Sequence, residues 1–254
     1  MTDVPANLIP GAEPTTWEGG PIGVLVLHGF TGNPGSMRGL AERLAAAGFT
    51  VDLPLLPGHG TVVDDMLETG WEDWLGHAED RYQQLAARCD QVAVVGLSMG
   101  GALTAWLGSE HPEIAGLVCI NAVVSVPEGM REAVEQVIES GADRFAGIGS
   151  DIADPEVVET AYAETPLAPL LTMFDAADNL GDRLSRVTSP LLVITSRQDH
   201  VVPPENSDLL ASAVSGPVER LWCDRSYHVV TQDYDKELVS DATVDFVTKV
   251  TASA

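Results

Sequence analysis

The five residues Gly96-Leu97-Ser98-Met99-Gly100 sit between an unbroken apolar run, Val92 to Val95, and a stretch where Leu103, Trp106 and Leu107 recur at helical spacing. A chain that passes from a buried strand to a helix in so few residues must turn very tightly. The glycines on either side of Ser98 remove side chains that would collide in such a turn. The serine hydroxyl is then held out at the carboxyl end of the sheet. The helix that follows aims its positive end at the same spot, where negative charge can develop. A G-x-S-x-G pattern alone occurs by chance. In this strand–turn–helix context it marks Ser98 as a nucleophile.

The rest of the chain supplies a sheet for that turn. Val24 to Leu27 has no polar alternation, as expected of a strand buried on both faces. Ser36 is read as the cap of a helix running to Ala47, with Gly48 just past its end, and Phe49 to Leu53 as the next strand. Thr69 and Glu72 read as a capping box, opening a helix with a Trp71, Trp74, Leu75, Ala78, Tyr82, Leu85 stripe. Further strands are expected at Ile114 to Ile120, Leu191 to Ile194 and Val218 to Trp222, and a closing helix carries Val239, Ala242, Phe246 and Val250. Short apolar runs alternating with amphipathic stretches give an α/β class with a mostly parallel sheet.

The alternation breaks between about Val124 and Thr188, where no strand is evident. Helix starts are read at Ser125 with Glu128, at Asp154-Pro155 and at Thr165-Pro166. The expected organisation is a core of residues 1–124 and 189–254, interrupted by a small helical cap at 125–188.

A serine is a weak nucleophile without a base, and the base needs an orienting acid. Where a G-x-S-x-G turn carries the nucleophile, these follow in the order Ser, acid, His. Three histidines follow Ser98. His111 ends the helix that begins at the serine, so it lies at the wrong edge. His200 adjoins the best acid. His228 lies just after the last strand and is the expected base. Asp199, a short turn beyond the strand Leu191 to Ile194, is the preferred acid, with Asp208 and Asp224 as rivals. Two backbone N–H groups must hold the oxyanion. Met99, after the nucleophile, supplies one, and Phe30, in the His28-Gly29-Phe30 loop after the first buried strand, supplies the other. His28 and His59 are read as structural.

Charge limits the partners. With 38 acidic against 13 basic residues the net charge is −25, which opposes nucleic acid and anionic membranes. No apolar run reaches the roughly eighteen residues of a membrane span, and the N-terminus lacks the features of a signal peptide, so a cytoplasmic location is expected. Three cysteines with no CxxC pair suggest reduced thiols. No histidine–carboxylate spacing suggests a metal site, and no GxxxxGK loop suggests a nucleotide.

HGFTG at 28–32, PGHG at 57–60, GLSMGG at 96–101, Asp199 and the final His228 together resemble the α/β-hydrolase superfamily. Within it they look like the bacterial monoacylglycerol lipases and related small carboxylesterases. The similarity runs from about Val24 to the C-terminus. It implies Ser98, Asp199 and His228 as triad, the amides of Phe30 and Met99 as oxyanion hole, no cofactor, and a helical cap that shapes an acyl tunnel. Prolines at 5, 10, 14 and 21 leave room for one strand before Val24, so about seven strands are expected rather than eight. The implied substrate is a neutral carboxylic ester, such as a monoacylglycerol or a short- or medium-chain acyl ester. The same triad also serves carbon–carbon bond hydrolases, thioesterases, perhydrolases and ligand receptors built on this fold.

Overall fold

The computed structural model describes residues 7–147 and 149–252. Its seven-stranded sheet comprises β1 (Thr15–Trp17), β2 (Ile22–Leu27), β3 (Thr50–Leu53), β4 (Gln91–Leu97), β5 (Gly116–Ile120), β8 (Leu191–Ser196) and β9 (Val218–Cys223). The spatial order is β1-β3-β2-β4-β5-β8-β9. Only β1 is antiparallel to its neighbour, pairing Thr16 with Asp52. Among the helices, α1 (Arg38–Ala46) and α8 (Lys236–Thr251) pack on one face. On the other lie α3 (Trp71–Ala86) and α4 (Met99–Glu110).

The strands show no polar alternation because both faces of the sheet are covered. Leu25, Leu27, Val94, Leu117, Cys119, Leu191 and Val193 enter the core beneath α3 and α4. Their neighbours Val24, Val26, Val95, Val118, Ile120, Leu192 and Ile194 enter the core beneath α1 and α8. The period-two alternation of a strand thus survives as a choice between two apolar layers.

Some local expectations change. The helix α1 starts at Arg38 after a short 3₁₀ turn, and Ser36 Oγ donates to Asn33 O instead of capping it. Gly48 does close that helix, with φ +97. The capping box of α3 is shifted by one residue: Asp73 Oδ2 accepts the N–H of Gly70 at 2.9 Å, while Thr69 Oγ1 donates to Met66 O. A short helix, α2 (Val63–Leu67), precedes α3, and α7 (Glu205–Ala213) lies between β8 and β9.

The segment between β5 and β8 contains α5 (Met130–Glu139), a two-stranded hairpin of β6 (Arg144–Ala146) and β7 (Glu164–Pro166), and α6 (Leu167–Gly181). Sequence periodicity did not reveal the hairpin, because strands of three residues carry no period. Nor does Asp154-Pro155 open a helix: Asp154 Oδ1 accepts Glu156 N–H in a local turn. Ser125 is likewise not a cap. Its hydroxyl donates to Asn206 Oδ1, and α5 begins after Gly129, whose φ is +79. The Thr165-Pro166 signal does precede a helix, α6, with Pro166 at its N-cap.

Candidate active site

Ser98 occupies the junction of β4 and α4 with φ 56 and ψ −116, a conformation sparsely populated by residues with a Cβ. The surroundings hold it there. Its N–H donates to Ile120 O at 2.9 Å, and its carbonyl accepts Ala102 N–H at 3.1 Å. The glycines are sterically required. A Cβ on Gly96 would lie 2.0 Å from Gly100 O, and one on Gly100 would lie 2.3 Å from Leu27 O.

His228 lies on the loop after β9 and is 7% exposed. Its Nδ1 meets Asp199 Oδ2 at 2.7 Å. Asp199 follows β8, and its other oxygen accepts the N–H groups of Val201 and Val202 at 2.9 and 2.8 Å. A carboxylate engaged in this way is an acceptor, so Nδ1 of the imidazole carries the proton and Nε2 keeps its lone pair. The two rival carboxylates are engaged elsewhere: Asp224 with Arg197, and Asp208 with Arg220, each at 2.7 Å on the surface. His111 is bonded to Glu79 at the far end of α4.

Ser98 and His228 line one cavity of about 210 Å³, whose apolar wall includes Val123, Val126, Met130, Leu170, Met173 and Phe174. The loop after β2 contributes Phe30 and Thr31 to its lining. A Cβ on Gly29 would lie 3.3 Å from Ser98 Cβ, a tight contact, so glycine lets this main chain pass close beside the serine without pressing on it. Phe30 lines the cavity and packs edge-on against Trp74 at 5.7 Å. Thr31 holds a positive φ of 59, unusual for a β-branched residue. Met99, on the other side of Ser98, is the first residue of α4, where N–H groups have no partner within the helix.

His28 is buried and neutral. Burial, reinforced by His59, depresses its pKa well below the ordinary value. Its Nε2 accepts Leu56 N–H at 3.1 Å and its Nδ1 meets Gly29 O at 3.0 Å, so it ties together the two loops flanking the serine. His59 is lowered to about 4 by burial and packs against His28 and Trp74. Neither lines the cavity with Ser98.

Burial alone would depress the His228 imidazole, but it is outweighed by the hydrogen bond and charge of Asp199, helped by Glu159 and Asp151, so its pKa is raised. A base must be neutral to accept a proton. Activity governed by His228 is therefore expected to fall as pH drops through a value above about 6.5. A kcat/KM–pH profile checks this, and an acid limb well below that value would remove His228 as the titrating base.

A family model described as serine aminopeptidase, S33, within the Hydrolase_4 group matches residues 22–235. The chain belongs to this α/β-hydrolase family. The chain is 43% identical to a thermostable monoacylglycerol lipase of Bacillus sp., across 95% of this chain and 96% of that one. It is 30% identical to a carboxylesterase of Bacillus subtilis, over 94% and 97% of the two. The solved structure of a metagenome-derived lipolytic enzyme matches with TM-score 0.92 and 42% identity, covering 95% of this chain and 99% of that one.

Sequence reasoning passed over two residues of this hydrolase cavity. Glu159 and Asp151 both line it. They lie in the stretch between β6 and β7, where no periodicity or motif points to them. The Glu159 carboxylate lies beside Gly32, with Oε1 3.3 Å from where a Cβ on that glycine would sit. Its pKa is raised by burial. Among the described residues, no group of three His, Cys, Asp or Glu could hold a metal ion, and no helix is long and apolar enough to cross a membrane.

Proposed function

We propose that this hydrolase cleaves neutral carboxylic esters, monoacylglycerols and short- to medium-chain acyl esters among them, through an acyl-enzyme on Ser98. The observation that carries this reading is one apolar cavity walled by both the strained Ser98 and the Asp199-bound His228. The names of the relatives support ester chemistry over peptide chemistry.

In the mechanism, His228 Nε2 takes the Ser98 proton as Oγ attacks the ester carbonyl. The amides of Phe30 and Met99 hold the oxyanion, and His228 then protonates the leaving alcohol. Water repeats the sequence on the acyl-enzyme. Asp199 keeps the imidazole in the tautomer that exposes Nε2. Residues 125–188 serve as a cap whose apolar side chains take the acyl chain. Glu159, a carboxylate that lines the same cavity as Ser98 and His228, is placed to accept hydrogen bonds from the hydroxyls of a glyceryl alcohol. The three cysteines are free, which supports a reducing compartment such as the cytoplasm, and cell fractionation checks it.

Hydrolysis of p-nitrophenyl esters and monoacylglycerols of graded chain length tests the substrate reading. Glu159→Gln is expected to raise KM for monoacylglycerols by roughly tenfold or more, the weight of a hydrogen bond to a charged group, with p-nitrophenyl esters little changed. An equal effect on both substrates removes Glu159 from alcohol recognition. Absence of multiple turnovers with any ester, alongside strong ligand-induced stabilisation, favours a receptor.

A further inference from the structure

His228 is held by more than Asp199. Its carbonyl accepts Asn121 Nδ2–H at 2.7 Å, from the end of β5. Its own N–H donates to Asp151 Oδ2 at 3.0 Å, and Asp151 belongs to the insertion between β5 and β8. The same Oδ2 accepts the N–H of His200, and Oδ1 meets His200 Nδ1 at 2.8 Å. One carboxylate from the insertion therefore grips two loops at once: the loop carrying His228 and the loop carrying Asp199.

A second carboxylate seats the same strap. Asp233, 1% exposed, accepts Ala153 N–H at 2.7 Å and Asp154 N–H at 3.1 Å from the insertion. It also accepts Tyr227 N–H at 2.8 Å, the residue before His228. Val229 N–H closes the arrangement on Asp151 O at 3.1 Å. Residues 151–154 and 227–229 are thus laced together by five hydrogen bonds from the insertion side and its clamp.

We propose that Asp151 is a positioning residue for His228, so that the insertion which walls the cavity also sets the base, and a displaced strap misplaces it. The proposal rests on the reading of His228 as general base given above. A shift of about 1 Å in a base costs on the order of a hundredfold in rate without weakening substrate binding, which is the signature to look for. Asp151 also carries charge. The charged groups facing His228 are Asp199, Glu159 and Asp151, with His200 bonded to the last. An anion there favours imidazolium, so removing it lowers the imidazole pKa and moves the acid limb to lower pH.

The experiment compares wild type with Asp151→Asn, Asp151→Ala and Arg131→Ala. Arg131 ties α5 to Asp175 and Asp178 of α6 on the surface and leaves the strap untouched. The readouts are kcat and KM across pH, labelling of Ser98 by a fluorophosphonate, NMR titration of the His228 ring, and melting temperature. Both Asp151 variants are expected to lose roughly tenfold to a hundredfold in kcat with KM within about threefold. His228 should titrate at lower pH in both, and Arg131→Ala should match wild type within about twofold. The proposal is overturned if the loss falls on KM alone, if the His228 titration does not move, or if Arg131→Ala loses as much as Asp151→Ala. A wild type that neither turns over esters nor takes the label sinks the serine-hydrolase reading instead. The ring titration still decides the role of Asp151 in that case.

Discussion

Ser98→Ala is expected to abolish ester turnover, by about four to six powers of ten in kcat, while the protein stays folded. The size of the loss follows from the chemistry. Without Oγ no acyl-enzyme forms, and only oxyanion stabilisation and substrate binding remain to help water attack. The fold should not notice. Ser98 keeps φ 56 through the N–H bond to Ile120 O and the carbonyl bond from Ala102, and both belong to the backbone. Alanine has the same Cβ as serine, so the backbone strain is neither relieved nor worsened. The melting temperature should therefore move by no more than the equivalent of about 1 kcal/mol. The check is kcat on a p-nitrophenyl ester, read beside the melt. A variant that keeps more than about one per cent of wild-type kcat leaves Ser98 without a nucleophilic role. A variant that unfolds would show only that the turn depends on the hydroxyl.

That turn was legible because its causes are local. Gly96 and Gly100 are demanded by backbone atoms within a few residues or on the adjacent strand. The seven-stranded sheet was legible for a related reason. With both faces buried, each central strand is a short apolar run, and the runs stand out against the helices between them. Edge elements were harder to see. Thr15–Trp17 is three residues long, and it joins the sheet by pairing with Val51–Leu53, with Thr16 Oγ1 also donating to Asp52 Oδ1 at 2.8 Å. Capping signals slipped by a residue at α3 because Thr69, Glu72 and Asp73 all carry suitable side chains, and only the three-dimensional path chooses among them.

The insertion was the least legible part. Its shape is fixed by contacts to distant loops: Tyr162 N–H on Thr31 O, Tyr162 hydroxyl on Gly58 O, and Asp233 on Ala153 and Asp154. None of these pairs is close in sequence, so no pattern announces them. Glu159 and Asp151 enter the cavity only through that tertiary lacing. Residues of the core site follow from chain order and strand ends, whereas those of the insertion follow from where the strap happens to be anchored.

Asp199→Asn is expected to lower kcat by about 10⁴-fold, although the two side chains have the same shape. The reason lies in how Asp199 divides its oxygens. Oδ1 accepts two backbone N–H groups, from Val201 and Val202, and Oδ2 accepts the imidazole N–H. An asparagine has one oxygen for these three donors. If its NH₂ faced Val201 and Val202, two enclosed donors, one of them on buried Val202, would lose their acceptor, at a cost of up to about 1–3 kcal/mol for a buried group. The oxygen therefore stays on the backbone and the NH₂ turns toward His228. Nδ1 must then accept rather than donate, and the ring proton moves to Nε2, the atom that should receive the serine proton. The base is present but has the wrong tautomer. Nitrogen NMR of the His228 ring should show the proton transferred from Nδ1 to Nε2 in the variant, with an unchanged fold. Asp224→Asn, which loses only a surface pair with Arg197, should retain turnover within about twofold. If Asp224→Asn proved the crippled variant and Asp199→Asn the active one, the acid would have to be reassigned to the last loop.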